Sequence, residues 1–93
     1  MATVVLPEAL TIAAVRPLRT ALLEAFDGPP PYSLDARQVD DIDGAGVQVL
    51  LAAARELQTR DLPLHLQPST TLRSTLEQLA ITDRFVLVDG EGA

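Results

Sequence analysis

Four carboxylates lie within nine residues of one another, directly before a run of small residues, and this segment carries most of the chemistry in the chain. They belong to Asp35, Asp40, Asp41 and Asp43, and Gly44-Ala45-Gly46 follows. Carboxylate oxygens are ligands that Mg²⁺ prefers, so one interpretation is a magnesium site. Another is an exposed contact surface at the start of a helix, where small residues and free N–H groups let a second macromolecule approach closely.

Structural roles compete with both interpretations. Asp43 is well placed to be the N-cap of the following helix, and the glycines can serve the turn alone. Asp40 and Asp41 can form a solvated acidic rim. Phosphoryl-accepting receiver domains, which bind magnesium through aspartates, also use a lysine, and all seven basic residues here are arginine. We therefore expect no metal site.

Enzymatic chemistry has little support elsewhere in the chain. His65 is the only histidine and lies between Leu64 and Leu66, as a sheet-face residue would. One histidine without cysteine cannot make an ordinary zinc site, and no serine lies in a nucleophile motif. Gly44-Ala45-Gly46 lacks the third glycine of a dinucleotide fingerprint, and there is no P-loop. We expect no catalytic residue and no cofactor.

Strand and helix patterns alternate along the chain and determine where the acidic segment lies. Alternating or short apolar runs predict strands, and apolar steps of three and four residues predict helices. The strands are predicted over 3–6, 32–36, 62–66 and 85–88, and the helices from Val15 to Phe26, Gly44 to Leu57 and Thr70 to Leu79. Pro17 then has to lie in the first helical turn, where its missing N–H costs nothing.

The order β-α-β-α-β-α-β predicts an α/β fold with helices packed on a small, mostly parallel sheet. We expect one domain over residues 1–93, with a frayed tail at 89–93. In such sheets, functional sites gather in the loops that leave the carboxyl ends of strands. The loop from Asp35 to Gly46 is one of these loops. Leu23 lies off the apolar stripe of the first helix, which makes it a candidate interface residue.

Composition narrows the possible partners. The net charge is −6, there is no basic stripe, and only 3% of the residues are aromatic. Such a chain is a poor nucleic-acid binder and is repelled by anionic lipid surfaces. The chain has no cysteine, signal-peptide pattern or apolar run long enough to span a membrane. We therefore expect a cytoplasmic protein whose partner is another protein.

Several segments resemble the signature of STAS domains, the sulphate-transporter and anti-sigma-factor-antagonist family. The central match is Leu34-Asp35-Ala36, Val39 and the run from Ile42 to Leu51, and it extends over Leu10-Thr11-Ile12, Leu18 to Leu22, Leu64-His65-Leu66 and Leu72 to Leu79. The resemblance covers nearly the whole chain. It implies the STAS fold and partner switching, in which a kinase-like anti-sigma factor phosphorylates a serine or threonine between the aspartate and the glycine and so breaks the complex.

This chain departs from the STAS pattern at the phosphorylation site. The two intervening positions are Gly44 and Ala45, and no serine or threonine occurs over residues 37–57. A phosphate would add about −1.5 to −2 charges at the contact, and neither side chain can accept one. We treat Gly44 and Ala45 as a degenerate phosphorylation site and expect no phospho-switching there.

The resemblance implies a regulatory binding module. Its partner would be an anti-sigma factor, a histidine-kinase-like protein or a chemotaxis-type signalling protein. The expected partner-binding residues lie at the start and on the outward side of the second predicted helix: Asp43, Gly44, Ala45, Gly46, Gln48, Ala52 and Arg55. The alternative is the small STAS subunit of an MlaB-like phospholipid ABC transporter, which would bind the ATPase; those subunits tend to keep a threonine at the position of Gly44. An enzyme with an acidic site is the third interpretation, and it lacks an activating base.

Overall fold

Four parallel strands form the main sheet in a computed structural model that describes residues 2–88. In chain order the elements are β1 (Ala2–Val5), β2 (Ala9–Leu10), α1 (Ile12–Phe26), β3 (Tyr32–Ala36), β4 (Asp41–Ile42), α2 (Gly44–Thr59), β5 (Leu64–Pro68), α3 (Thr70–Gln78), a 3₁₀ turn (Thr82–Arg84) and β6 (Val86–Leu87). The sheet order is β1-β3-β5-β6, and all its pairings are parallel. The predicted α/β class is confirmed, and the tail expected at 89–93 lies outside the described residues.

Alternation in the two central strands separates a buried sheet face from a half-buried one. Leu34 of β3 lies opposite Leu66 of β5, and both are fully buried. Apolar side chains of α1, α2 and α3 complete this core. On the other face Ser33 lies opposite His65, and both are half-buried. His65 is therefore a sheet-face residue, as its position between two leucines indicates. Within residues 2–88, no helix has the length and apolar character needed to cross a membrane.

A second, two-stranded parallel sheet departs from the sequence-based expectation. The segment before α2 was expected to be an irregular polar connection, but β4 pairs with β2, with Ile42 opposite Leu10. The N–H groups of Asp40 and Asp41 both donate to the carbonyl of Glu8. Two residues per strand are too few to show a period, so local patterning does not reveal this pairing. Its effect is to hold the chain firmly where α2 begins.

Helix α1 starts one turn earlier than its apolar pattern predicts. It begins at Ile12, and Pro17 is inside the helix rather than in its first turn. The carbonyl that loses its hydrogen bond to Pro17 is that of Ala13, and both residues are exposed, so water can reach that carbonyl. Helix α3 ends at Gln78, one residue before its predicted end. Leu79, which was expected on the buried apolar stripe, is 51% exposed.

Candidate functional site at the start of helix α2

The carboxylate of Asp43 caps two helices at once. Its Oδ1 accepts a hydrogen bond from the N–H of Gly46, at 3.0 Å, as an N-cap of α2. Its Oδ2 accepts from the N–H of Ile12, also at 3.0 Å, at the first residue of α1. Thr11 occupies the N-cap position of α1 but makes no side-chain cap bond, and Asp43, 31 residues beyond Ile12, caps the helix in its place. The structural role weighed for Asp43 is thus its observed one.

The two caps also affect the ionisation of Asp43. Each helix N-terminus presents N–H groups and the positive end of a dipole, and both favour a negative charge. Hydrogen bonds from Gly46, and next from Ile12, hold the pKa of the Asp43 carboxyl below its usual value. The carboxylate is therefore charged at neutral pH and is occupied by the protein's own backbone.

Gly46 is needed because two backbone segments approach closely. It is buried, and a Cβ on it would lie 2.1 Å from the carbonyl oxygen of Leu10. That oxygen also accepts the N–H of Asp43, at 3.3 Å. The absence of a side chain at Gly46 lets α2 pack closely against β2. This glycine therefore has a structural role in the turn and is not accessible to solvent.

Gly44 faces open solvent, in contrast to Gly46 two residues later. Gly44 is exposed, and a Cβ placed on it would meet no atom within 4 Å. Ala45 is half-buried beside it. Gly44 is therefore reachable from outside, and a Cβ at this position would fit without steric conflict.

The remaining predicted residues lie on one side of α2. Gln48, Ala52 and Arg55 are all exposed. Their spacing of four and three residues places them on the same side of a helix, and Ala45 precedes Gln48 by three. The structure thus brings together five of the predicted site residues on an outward surface, namely Gly44, Ala45, Gln48, Ala52 and Arg55. Gly46 is buried, and the carboxylate of the half-buried Asp43 is bonded to the N-termini of both helices.

The other aspartates of the acidic segment do not converge. Asp35 on β3 forms a two-point ion pair with Arg37, with distances of 2.9 Å, and this partner holds the pKa of its carboxyl below the usual value. Asp40, just before β4, and Asp41, its first residue, are both exposed. Within residues 2–88, no three carboxylate or imidazole side chains form a group that could hold a metal ion.

A groove between α1 and α2 adjoins this surface and was not visible in the sequence. It has a volume of about 490 Å³, and Leu22, Phe26 and Val49 form part of its apolar lining. Leu23 and Arg19 line it from α1, and Ala45 and Gln48 line it from α2. Leu23 is 62% exposed, consistent with its position off the apolar stripe. The sequence-based prediction did not include Arg19 among the site residues, although its four-residue spacing from Leu23 places both on the same side of α1.

The far ends of α1 and α2 are also tied together. Arg60, just after α2, donates from Nη1 to the carbonyl of Phe26, the last residue of α1, at 2.9 Å. The same guanidinium pairs with Glu56 at 2.9 Å and lies 6.0 Å from the centre of the Phe26 ring. With Asp43 bonded at the N-termini and Arg60 at the C-termini, the two helices lie side by side as one platform.

Comparison with known families agrees with this architecture. The protein-family model described as "Mlab, STAS domain" matches residues 1–89, which is almost the whole chain. No curated protein and no solved structure matches the chain. The family match, the α/β fold and the position of the Asp43 turn at the start of the second helix point the same way. The chain belongs to the STAS domain family.

Proposed function

We propose that this chain is a regulatory protein-binding module that docks its partner on the start and outward side of α2 and performs no catalysis. The observation that carries the proposal is the open position of Gly44. It stands at the first residue of a helix, exposed and with free space beyond its Cα. A partner's backbone can approach closely at a residue without a side chain.

The rigidity of the surrounding platform supports docking. Asp43 and Arg60 hold α1 and α2 in one arrangement before any partner arrives. A preformed surface loses less conformational entropy on binding than a loop that has to order itself. The exposed residues Gln48, Ala52 and Arg55 extend the contact surface along α2 from the Gly44 turn.

The absence of a hydroxyl argues for a docking surface without the phosphate switch that the family resemblance implies. Neither Gly44 nor Ala45 can be phosphorylated, and residues 37–57 contain no serine or threonine. We expect the purified chain to gain no phosphate in this segment when it is incubated with ATP and a cognate kinase. Intact mass and peptide mapping test this, and a phosphate found between Asp40 and Val47 would overturn it.

The family supports two candidate classes of partner. An anti-sigma factor, a histidine-kinase-like protein or a chemotaxis-type signalling protein in the cytoplasm is the first candidate. A second candidate is the ATPase of a phospholipid ABC transporter, and the observation that favours it is that the matching family model carries the description "Mlab, STAS domain".

The docking surface is tested with a pair of charge-adding variants. Ala45→Glu puts a carboxylate at the proposed contact, whereas Ser74→Glu puts the same charge on exposed α3, which packs against β5 and the 3₁₀ turn. The partner captured from the native cell is purified, and its affinity is measured by titration calorimetry. We expect Ala45→Glu to weaken binding by about tenfold or more, since a buried unpaired charge costs over about 1.4 kcal/mol.

Ser74→Glu is expected to leave the affinity unchanged. Circular dichroism of both variants establishes that each is folded. Equal affinity of the folded Ala45→Glu variant and the wild type would place the interface elsewhere. The identity of the captured protein, a signalling regulator or a transporter ATPase, then decides between the two partner classes.

A further inference from the structure

We propose, building on the docking function above, that the α1–α2 platform receives an acidic amphipathic helix of the partner protein. The apolar side of that helix would fill the groove between α1 and α2. Its carboxylates would pair with Arg19, which lines the groove, and with Arg16 and Arg55, which are exposed on the outward sides of α1 and α2.

The apolar half of the recognition surface is formed by α1 as well as by the groove. Ile12 is 70% exposed and Leu23 is 62% exposed. They are eleven positions apart, which is close to three full turns, so both lie on the same side of α1. Val15 and Leu23 line both the groove and an adjoining depression that includes Ile12, so the exposed apolar residues of α1 continue into the groove. Exposed apolar residues that adjoin an apolar groove are typical of interaction sites on protein surfaces.

The charged half consists of arginines that the fold does not use. Within residues 2–88, the side chains of Arg16, Arg19 and Arg55 form no ion pair or hydrogen bond. Arg37 and Arg60, by contrast, are paired with Asp35 and Glu56. A cation without a partner in the free protein can pair with an incoming carboxylate without first breaking an internal contact.

Acidic groups near the groove do not cancel these arginines. Glu56 lines the groove, but its carboxylate is engaged by Arg60 at 2.9 Å. Glu24 follows Leu23 and therefore projects about 100° further round α1, away from the side that carries Arg19. The outward sides of α1 and α2 thus carry three arginines without an internal partner in the described part of the chain, whose net charge over its full sequence is −6, and these arginines favour an acidic partner segment.

The shape of the groove favours a helix as the occupant. It runs between two helices that are fixed side by side, and α1 has 15 residues, which corresponds to about 22 Å. A partner helix of three to four turns would match that length, with apolar residues at i, i+3 or i+4 and i+7 pointing inward. An anionic membrane would also present negative charge, but polybasic membrane sites use about four to eight cations, and the net charge of the chain opposes such binding.

Selection from a peptide library tests the chemistry of the occupant without knowledge of the natural partner. The probe is a phage-displayed library of 16-residue helical peptides, with leucine fixed on one side and Glu, Lys, Gln or Ser allowed at the flanking positions. The full-length chain is the target, next to the triple variant R16E/R19E/R55E. Arg84→Glu is the matched control, because Arg84 is exposed and lies on the 3₁₀ turn.

We expect peptides enriched on the wild type to carry Glu at the flanking positions and those enriched on the triple variant to carry Lys. The best Glu peptide should bind the triple variant about tenfold or more weakly than the wild type, as two or three lost surface ion pairs would cause. Its affinity for Arg84→Glu should equal that for the wild type. Far-UV circular dichroism of each variant shows that the fold is intact.

The same charge preference on the wild type and the triple variant, or no enrichment of Glu, overturns the inference. So does arginine-dependent binding to vesicles of 30% phosphatidylglycerol in phosphatidylcholine, which would assign the surface to a membrane instead. The result also separates the two proposals. If Ala45→Glu weakens the natural complex while the arginine reversals do not, docking on α2 stands and the acidic-helix inference fails; if neither has an effect, both fail.

Discussion

The start of α2 and the outward side of the α1–α2 platform adjoin each other but differ in how their side chains are used. At the start of α2, the carboxylate of Asp43 is bonded to two helix N-termini, and the missing side chain of Gly46 lets α2 rest on β2. On the outward side, Arg19 and Arg55 have no partner within residues 2–88, and Leu23 is 62% exposed. Residues whose types most suggest a functional site can thus be used for contacts within the fold. Neighbouring residues that attract less attention in the sequence remain exposed and able to contact a partner.

This comparison predicts that the two regions respond to different measurements. Substitutions at the start of α2 should change stability, because they remove contacts within the folded chain. Substitutions on the outward side should change partner binding and leave stability nearly unchanged.

The largest effect is expected from the two glycines of the turn. Gly46→Ala would place a Cβ 2.1 Å from the carbonyl oxygen of Leu10, where backbone has to move, so we expect a loss of at least about 3 kcal/mol in the free energy of unfolding. Gly44→Ala meets open space and should change it by less than about 0.5 kcal/mol. Urea denaturation of both variants measures this. Similar stabilities would show that the close approach to β2 does not restrict Gly46.

The next effect concerns the double cap. Asp43→Asn keeps the shape of the side chain but loses its charge and one acceptor oxygen, so we expect it to lower the melting temperature at pH 7. Asp41→Asn serves as a control, since Asp41 is exposed and caps no helix in the described chain. A variant at Asp41 as unstable as the one at Asp43 would contradict the double cap.

The same carboxylate should appear in the pH dependence of stability. The folded-state pKa of Asp43 is lowered from 3.8, so its ionised form favours folding. That contribution is complete above the unfolded-state pKa and is lost as the pH falls through the lower, folded-state value. Denaturation series from pH 6 to pH 2 should show stability falling below about pH 4, and less steeply in Asp43→Asn. Part of the pH dependence of stability should remain in Asp43→Asn, because the pKa of Asp35 is also lowered.

A smaller effect is expected at the other end of the platform. Arg60→Gln removes the bond to the carbonyl of Phe26 and the pair with Glu56, both partly exposed to water, so a loss of about 1 kcal/mol is expected. Arg55→Gln, on the same helix but without an internal partner, should leave the free energy of unfolding unchanged and weaken partner binding. Equal losses of stability from the two variants would remove the distinction between the regions.

The smallest effect on stability is expected at Leu23. Leu23→Ala should change the free energy of unfolding by less than about 0.5 kcal/mol, because the side chain is mostly in water. The adjacent Leu22→Ala should cost about 2 kcal/mol or more, because Leu22 is 5% exposed. Chemical denaturation gives both free energies of unfolding. Titration with the partner should show that Leu23→Ala weakens binding clearly, although it hardly changes stability. A strongly destabilised Leu23→Ala would mean that this leucine belongs to the core.

Sequence patterns predicted the positions of the proposed site residues better than the contacts that these residues make. The turn from Asp43 to Gly46 was identified from residue types, and the outward residues Gln48, Ala52 and Arg55 follow from helical spacing. Asp43 was recognised as a cap for α2 only, because its bond to Ile12 spans 31 residues. The groove could not be predicted, since it depends on how two helices lie against each other.

What the sequence determined by itself is the alternation of the three helices with the four strands of the main sheet, the apolar stripes of the helices, the cap of α2 and the absence of a hydroxyl at Gly44 and Ala45. These features depend on residues a few positions apart, whose period and type can be read directly. Only the tertiary structure decided that α1 begins at Ile12, that β2 pairs with β4, and that Gly46 is buried while Gly44 is open. The physical reason is that each of these depends on hydrogen bonds or close contacts between distant segments, which exist only once the chain has folded.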